Sequence, residues 1–293
     1  MLNRQRLFGI ALAATTALAA STAQAAFVWN FGGSGGKLSG AATTFNASFG
    51  GKTVTASVTA WADSGAVGDG GTNRVLNQGN VYQYSGGLGV QWVAPTGTTI
   101  NGLSQESTGV PEHTMDNCGL LNSFGSCTAG TPEDFILFKF SDSVALSQVA
   151  QGWFQSDADI TVLAYTGAGD PTANLTKDTY ASTDAAGGLS TGLVNDGWTW
   201  VGNYANLQNG AATINTGANT GGQAVTSSYW LIGAYNSRVH AEASTWDNNN
   251  DFLKITSLAG TVTPPGGKVP EPASAALVLL GLAAVRRYRP RRG

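Results

Sequence analysis

The amino-acid sequence predicts an all-β protein, an antiparallel β-sandwich of jelly-roll type with a short apolar helix at its C-terminus. Short apolar runs recur between clusters of Gly, Asn, Asp and Ser, the pattern of strands joined by tight turns. Gly supplies 40 of the 293 residues and charged residues only 11%, a composition suited to many turns and few solvated helix faces. Eight Trp, eight Tyr and eleven Phe supply enough large rings to build a core, which sets the chain apart from a Gly-rich disordered one.

The two ends stand outside that domain. Arg4 and Arg6 precede an apolar run from Leu7 to Ala20, and Ala23-Gln24-Ala25 is a small-x-small processing site, so residues 1–25 read as a secretory signal peptide. Residues 26–263 are the predicted sandwich, and residues 264–269, with Pro264, Pro265, Gly266 and Gly267, form a linker. Residues 270–293 are a separate module: Pro270-Glu271-Pro272, an apolar segment at 273–285 read as a short transmembrane helix, and five arginines from Arg286 to Arg292. Between Ala26 and Val269 eight basic residues face seventeen acidic ones, a formal charge of −9. No basic stripe interrupts it, which excludes nucleic acid as a partner and favours a bound cation over an anion.

Each strand has its own signal. Phe27-Val-Trp29 opens the domain, and Val54, Ala56, Val58 and Ala60 alternate with Thr and Ser as in a half-buried strand. Val81–Tyr84 and Leu88–Trp92, separated by Ser85-Gly86-Gly87, read as a hairpin that offers partners to that strand. Between Phe135 and Tyr165 three apolar runs divided by Asp, Ser and Gly turns read as successive strands: Phe135–Phe140, the region of Val144–Leu146 and Gly152-Trp153, and Ile160–Tyr165. Ile136, Phe138 and Phe140 share one face, with Phe135, Leu137 and Lys139 on the other, so that strand reads as central with its outer side still partly covered. Leu175–Ala181 reads as a short helix, Trp198–Tyr204 as a strand bent at Gly202, Ser227–Tyr235 as the most hydrophobic strand, and Phe252–Leu258 as the last.

Candidate sites follow from residue type. Cys118 and Cys127, nine positions apart in an exported chain, predict a disulfide. Asp116, Asn117, Asp157, Asp159, Asp247 and Asp251 carry the oxygen ligands that Ca²⁺ takes. Singly each reads as a turn cap, and together they are the pool for a structural Ca²⁺ site, the one cofactor the composition admits. Trp153, Trp198, Trp200 and Trp246 are the candidate platform for stacking on a sugar, against the alternative that they are core. His113 and His240 are the only histidines, and no nucleophile or metalloprotease motif surrounds them, so no catalytic residue is assigned.

The tail motif, Pro270-Glu271-Pro272 followed by an apolar segment and an arginine cluster, resembles the PEP-CTERM sorting signal of Gram-negative envelope proteins. Met115-Asp116-Asn117, Gly152-Trp153, Asp157-Ala-Asp159-Ile160, Ser228–Tyr235 and Asp251–Lys254 are similar to exosortase-dependent surface proteins, from which this chain departs by the cysteine-bounded insert after Asn117. The resemblance implies an exosortase and the export machinery as partners. It also implies a precursor held transiently in the inner membrane through 273–285, then display at the cell surface or in the matrix. The expected function is a non-enzymatic structural or adhesive surface protein. The alternatives are a carbohydrate-binding module for exopolysaccharide and, third, a glycoside hydrolase.

Overall fold

The computed structural model describes residues 26–38, 42–65, 75–99, 103–106, 113–117, 132–179, 191–207, 210–242, 246 and 251–262, all within one compact unit, Ala25–Gly267. Its strands in the first half are β1 (Phe27–Asn30), β2 (Gly36–Lys37), β3 (Ala42–Phe49), β4 (Lys52–Gly65), β5 (Val75–Gln78), β6 (Asn80–Tyr84), β7 (Gly87–Gln91) and β8 (Met115–Asp116). The second half holds β9 (Asp134–Ser156), β10 (Ile160–Tyr165), β11 (Asp178–Thr179), β12 (Thr191–Gly192), β13 (Trp198–Tyr204), β14 (Gly210–Thr213), β15 (Ser227–Ala234) and β16 (Asp251–Val262). Among the described residues all sixteen join one hydrogen-bonded sheet, whose main path runs β12-β11-β5-β4-β9-β16-β7-β6-β2.

The expected jelly-roll sandwich of two separate sheets is therefore corrected. The physical reason is β9, a single strand of 23 residues where the sequence reading placed two strands and a turn. Its first half pairs with β4 and β15, and its second half with β16 and β14, so both halves of the molecule hang on one continuous ladder. Ser141-Asp142-Ser143, read as a turn, stays extended because its polar groups find partners across the sheet. Lys52 Nζ reaches Asp142 Oδ1 at 2.6 Å, and Ser141 Oγ accepts from Thr55 N at 3.1 Å.

The first half of β9 is covered on both faces, as its sequence predicts. Ile136, Phe138 and Phe140 join Trp29, Phe31, Trp230 and the alternating Val54, Ala56, Val58 and Ala60 in the main core. Phe135 and Leu137 pack on the opposite side with Trp61, Leu163, Trp198 and Leu231. Trp29 satisfies its indole N–H on Val54 O at 2.9 Å, the condition for burying that ring. Gly50 and Gly51, both at positive φ, form the two-residue turn that pairs Phe49 with Lys52 and sets the β3–β4 register.

The β6–β7 hairpin, the β15 strand and the β16 strand appear where the sequence places them, and β13 slips register opposite Val162 and Leu163, beside Gly202. The partners of β4 are β3, β5 and β9, not the hairpin. The helix expected from Leu175 reduces to a 3₁₀ turn, Leu175–Lys177, after which the chain pairs as β11.

Three further expectations are corrected or fall away. Among the described residues no helix is long and apolar enough to cross a membrane, since the helical segments there are three-residue turns; the transmembrane helix and the inner-membrane-anchored precursor are withdrawn on that finding. Residues 273–285 and the Pro270-Glu271-Pro272 motif lie outside the described residues. No disulfide bond occurs among the described residues, and Cys118 and Cys127 fall outside them, so the expected bond is withdrawn too.

Candidate cation site and surface pocket

Acidic residues separated by almost a hundred positions meet where β8, β9, β10 and β16 come together. β9 ends at Ser156, the chain turns through Asp157-Ala158-Asp159, and β10 begins at Ile160. Asp251 opens β16, pairs with Ser156 and bridges Asp157 in parallel. Asp157, Asp159 and Asp251 thereby bring one carboxylate oxygen each to within 4.8 Å of one another.

Hydrogen bonds hold this junction. Asp251 Oδ1 accepts from Asp159 N at 2.7 Å, and Asp251 Oδ2 accepts from Asn117 Nδ2 at 2.6 Å. Asn117 Oδ1 in turn accepts from Asp251 N at 3.1 Å, Asp159 Oδ1 accepts from Asn206 N at 2.6 Å, and Asp157 Oδ1 accepts from Ala158 N at 2.8 Å. Burial, followed by the charges of Asp159 and Asp157, pushes the Asp251 carboxyl up to about 9 despite the bonds it accepts. A group in that state carries a proton at neutral pH, and a divalent cation of the Ca²⁺ class would supply the same compensation through hard oxygen ligands.

Three of the six pooled residues, Asp157, Asp159 and Asp251, thus bring their oxygens together, while Asn117 reaches Asp251 through its Nδ2 and spends its Oδ1 on Asp251 N. Asp116, though adjacent to Asn117, points elsewhere because successive residues of a strand alternate faces. Its Oδ2 accepts from Thr114 Oγ1 at 3.0 Å, and its charge acts on Asp134. Asp247 lies outside the described residues.

Asp134 belongs to a second acidic group that the sequence reading did not single out. It is fully buried at the start of β9, opposite Ala62, and neither carboxyl oxygen has a hydrogen-bond partner among the described residues. Burial first, then the charges of Asp116, Glu106, Asp63 and Glu133, hold its pKa well above the ordinary carboxylate range. Beside it Arg238 ties Asp63 at 2.6 Å and Glu133 at 2.8 Å. No periodicity announces a buried acid; the one sequence cue is two acids, Glu133-Asp134, directly before the apolar run that becomes central.

The tryptophan platform is also redrawn. Trp198 is only 1% exposed and packs in the second core cluster, so it is corrected to a core residue. Trp153, Trp200 and Trp246 are partly buried, and each ring already has a neighbour: Lys254 Nζ at 4.3 Å, the His240 ring at 3.6 Å and the Tyr235 ring at 5.0 Å. Lys254 also lies 4.9 Å from Tyr84, which stacks on Tyr82, which stacks on His113. This stack fastens β6 to β9 and β16 across the sheet and uses ring surface that a sugar would need.

A cavity of about 260 Å³ opens instead at the far end of β10, lined by Ser143, Tyr165, Thr166, Thr226, Ser228 and Tyr229 among others. None of its lining residues is a carboxylate, His or Cys. Comparison with protein-family models, with curated proteins and with solved structures found no match to this chain.

Proposed function

We propose a non-enzymatic, structural or adhesive role in an exported protein, with an exosortase and exopolysaccharide as partners. The observation that carries this reading is the use to which the acids are put. A glycosidase needs two carboxyls facing an open cleft, one of them free to pass a proton to the substrate. Here Asp251 and Asp159 are buried, and their oxygens accept main-chain N–H groups that tie the turn before β10 to the start of β16 and to Asn206 beyond β13. The pocket lining, hydroxyls and two tyrosine rings without a catalytic group, favours carbohydrate binding as the second reading. The sorting step rests on the resemblance of the tail, with Pro270, Glu271 and Pro272 as its recognition element.

Turnover and retention are to be measured on the same preparation, with exopolysaccharide as soluble substrate and as immobilised matrix. The expected result is retention on the matrix without release of reducing ends. Hydrolysis that Asp157→Asn or Asp159→Asn abolishes would overturn the non-enzymatic reading, and failure to be retained would overturn the adhesive one.

A further inference from the structure

We infer that the pocket between β9, β15 and the turn after β10 holds one neutral pyranose ring of a saccharide, an inference that rests on the adhesive reading and gives it a site. The opening is built into the strand register. On β15 the step from Ser227 to Tyr229 is two residues, while their partners on β9, Val144 and Lys139, are five apart. The strands must separate there, and Ser141 and Asp142 are held away toward β4 by their bonds with Thr55 and Lys52. Bulges of this sort re-aim side chains and interrupt pairing, which leaves room for a ligand.

The chemistry of the wall selects the ligand. Among the described residues the Ser143, Thr226 and Ser228 hydroxyls have no hydrogen-bond partner, so three hydroxyls, each donor and acceptor, line the cavity unspent. Ser227 and Thr166 are committed to the frame: Ser227 Oγ donates to Tyr165 O at 2.6 Å, and the Thr166 and Thr199 hydroxyls pair at 2.7 Å. Tyr165 and Tyr229 stand edge to face at 6.2 Å and bound the cavity, Tyr165 packing also on Trp198 at 5.4 Å, and the wall they leave exposed is mostly polar, as a ligand rich in hydroxyls requires. The nearest charges, Lys139 and Asp170 beside Tyr229, neutralise one another at 2.8 Å, so nothing in the wall compensates an anionic or cationic ligand. At about 260 Å³ the space falls below the ~300–1,000 Å³ of pockets for drug-sized ligands, which fits one ring and not an oligosaccharide.

Saturation-transfer NMR on the intact protein with D-glucose, D-galactose and D-mannose as probes, and D-glucuronate as the charged counterpart, tests the site. The expected result is transfer to at least one neutral sugar, weaker transfer to glucuronate, and at least a tenfold loss of affinity in both Tyr229→Ala and Thr226→Trp. Thr226 is exposed, so its replacement fills the pocket without touching the core. No transfer to any neutral sugar, stronger transfer to glucuronate, or unchanged binding in Thr226→Trp overturns the inference. Matrix retention read in parallel separates the two proposals. A Thr226→Trp protein that adheres as well as wild type removes the pocket and spares adhesion, whereas sugar binding without retention spares the pocket and removes adhesion.

Discussion

Asp134→Asn should make the protein more stable, and the gain should grow with pH. The carboxyl is fully buried, neither oxygen is hydrogen-bonded among the described residues, and the surrounding charges are acidic, so the folded state keeps it protonated well above its ordinary value of 3.8. In the unfolded chain the same group releases its proton near 3.8. Above that pH the folded state holds more protons than the unfolded one, and raising the pH favours unfolding until the folded group itself ionises. One proton costs about 1.4 kcal/mol per pH unit within that window. For each pH unit inside that window wild type should therefore lose about 1.4 kcal/mol relative to Asp134→Asn, a difference of roughly 3–6 °C in Tm for a domain of this size. Asp251, whose pKa is also raised, adds a slope of the same sign to both proteins and cancels in the comparison. Thermal melts followed by tryptophan fluorescence from pH 4 to 8 measure it. Parallel pH profiles for the two proteins would show that Asp134 does not titrate abnormally and would refute the reasoning.

Three other outcomes are expected. Millimolar Ca²⁺ should raise Tm over excess chelator, by about 2.7 kcal/mol of stability at a hundredfold excess over Kd, and Asp157→Asn should erase the difference; an identical Tm in both buffers removes the cation site. Gly89→Ala should cost about 3 kcal/mol or prevent folding, because a Cβ there would meet the His113 carbonyl oxygen at 1.7 Å; urea unfolding within 0.5 kcal/mol of wild type, about the scatter of a harmless surface change, would contradict the passage of that segment over β7. Arg238→Met should cost about 3 kcal/mol at neutral pH, since it leaves Asp63 and Glu133 without their cation, and a neutral effect would mean the two acids are already solvated or protonated.

Much of the strand inventory was legible because alternation is a local property. Val54 to Ala60 and the two-sided Phe135–Phe140 run carry their burial in their own residue order, and both are buried as that order requires. The continuity of β9 was not legible, because Ser141-Asp142-Ser143 has the composition of a turn and stays extended only by virtue of Lys52 and Thr55, some ninety residues earlier. The acids divide in the same way. Asp157-x-Asp159 declares its shared side by spacing, but its meeting with Asp251 and Asn117 depends on β16 lying beside β9, and the divergence of Asp116 from Asn117 depends on β8 being a strand.

The sequence by itself determined the all-β class, most strand positions, the acidic balance of the domain and the types of residue available for a cation site. Only the tertiary structure decided that the strands form one sheet, that Trp198 is core, that Asp134 is buried without a partner among the described residues, and that a pocket opens where β15 and β9 part. The physical reason is range. Backbone periodicity and turn chemistry act over a few residues, whereas ladder pairing, burial and charge proximity are set by contacts between segments far apart in the chain, such as Asn117 with Asp251 or Arg238 with Asp63.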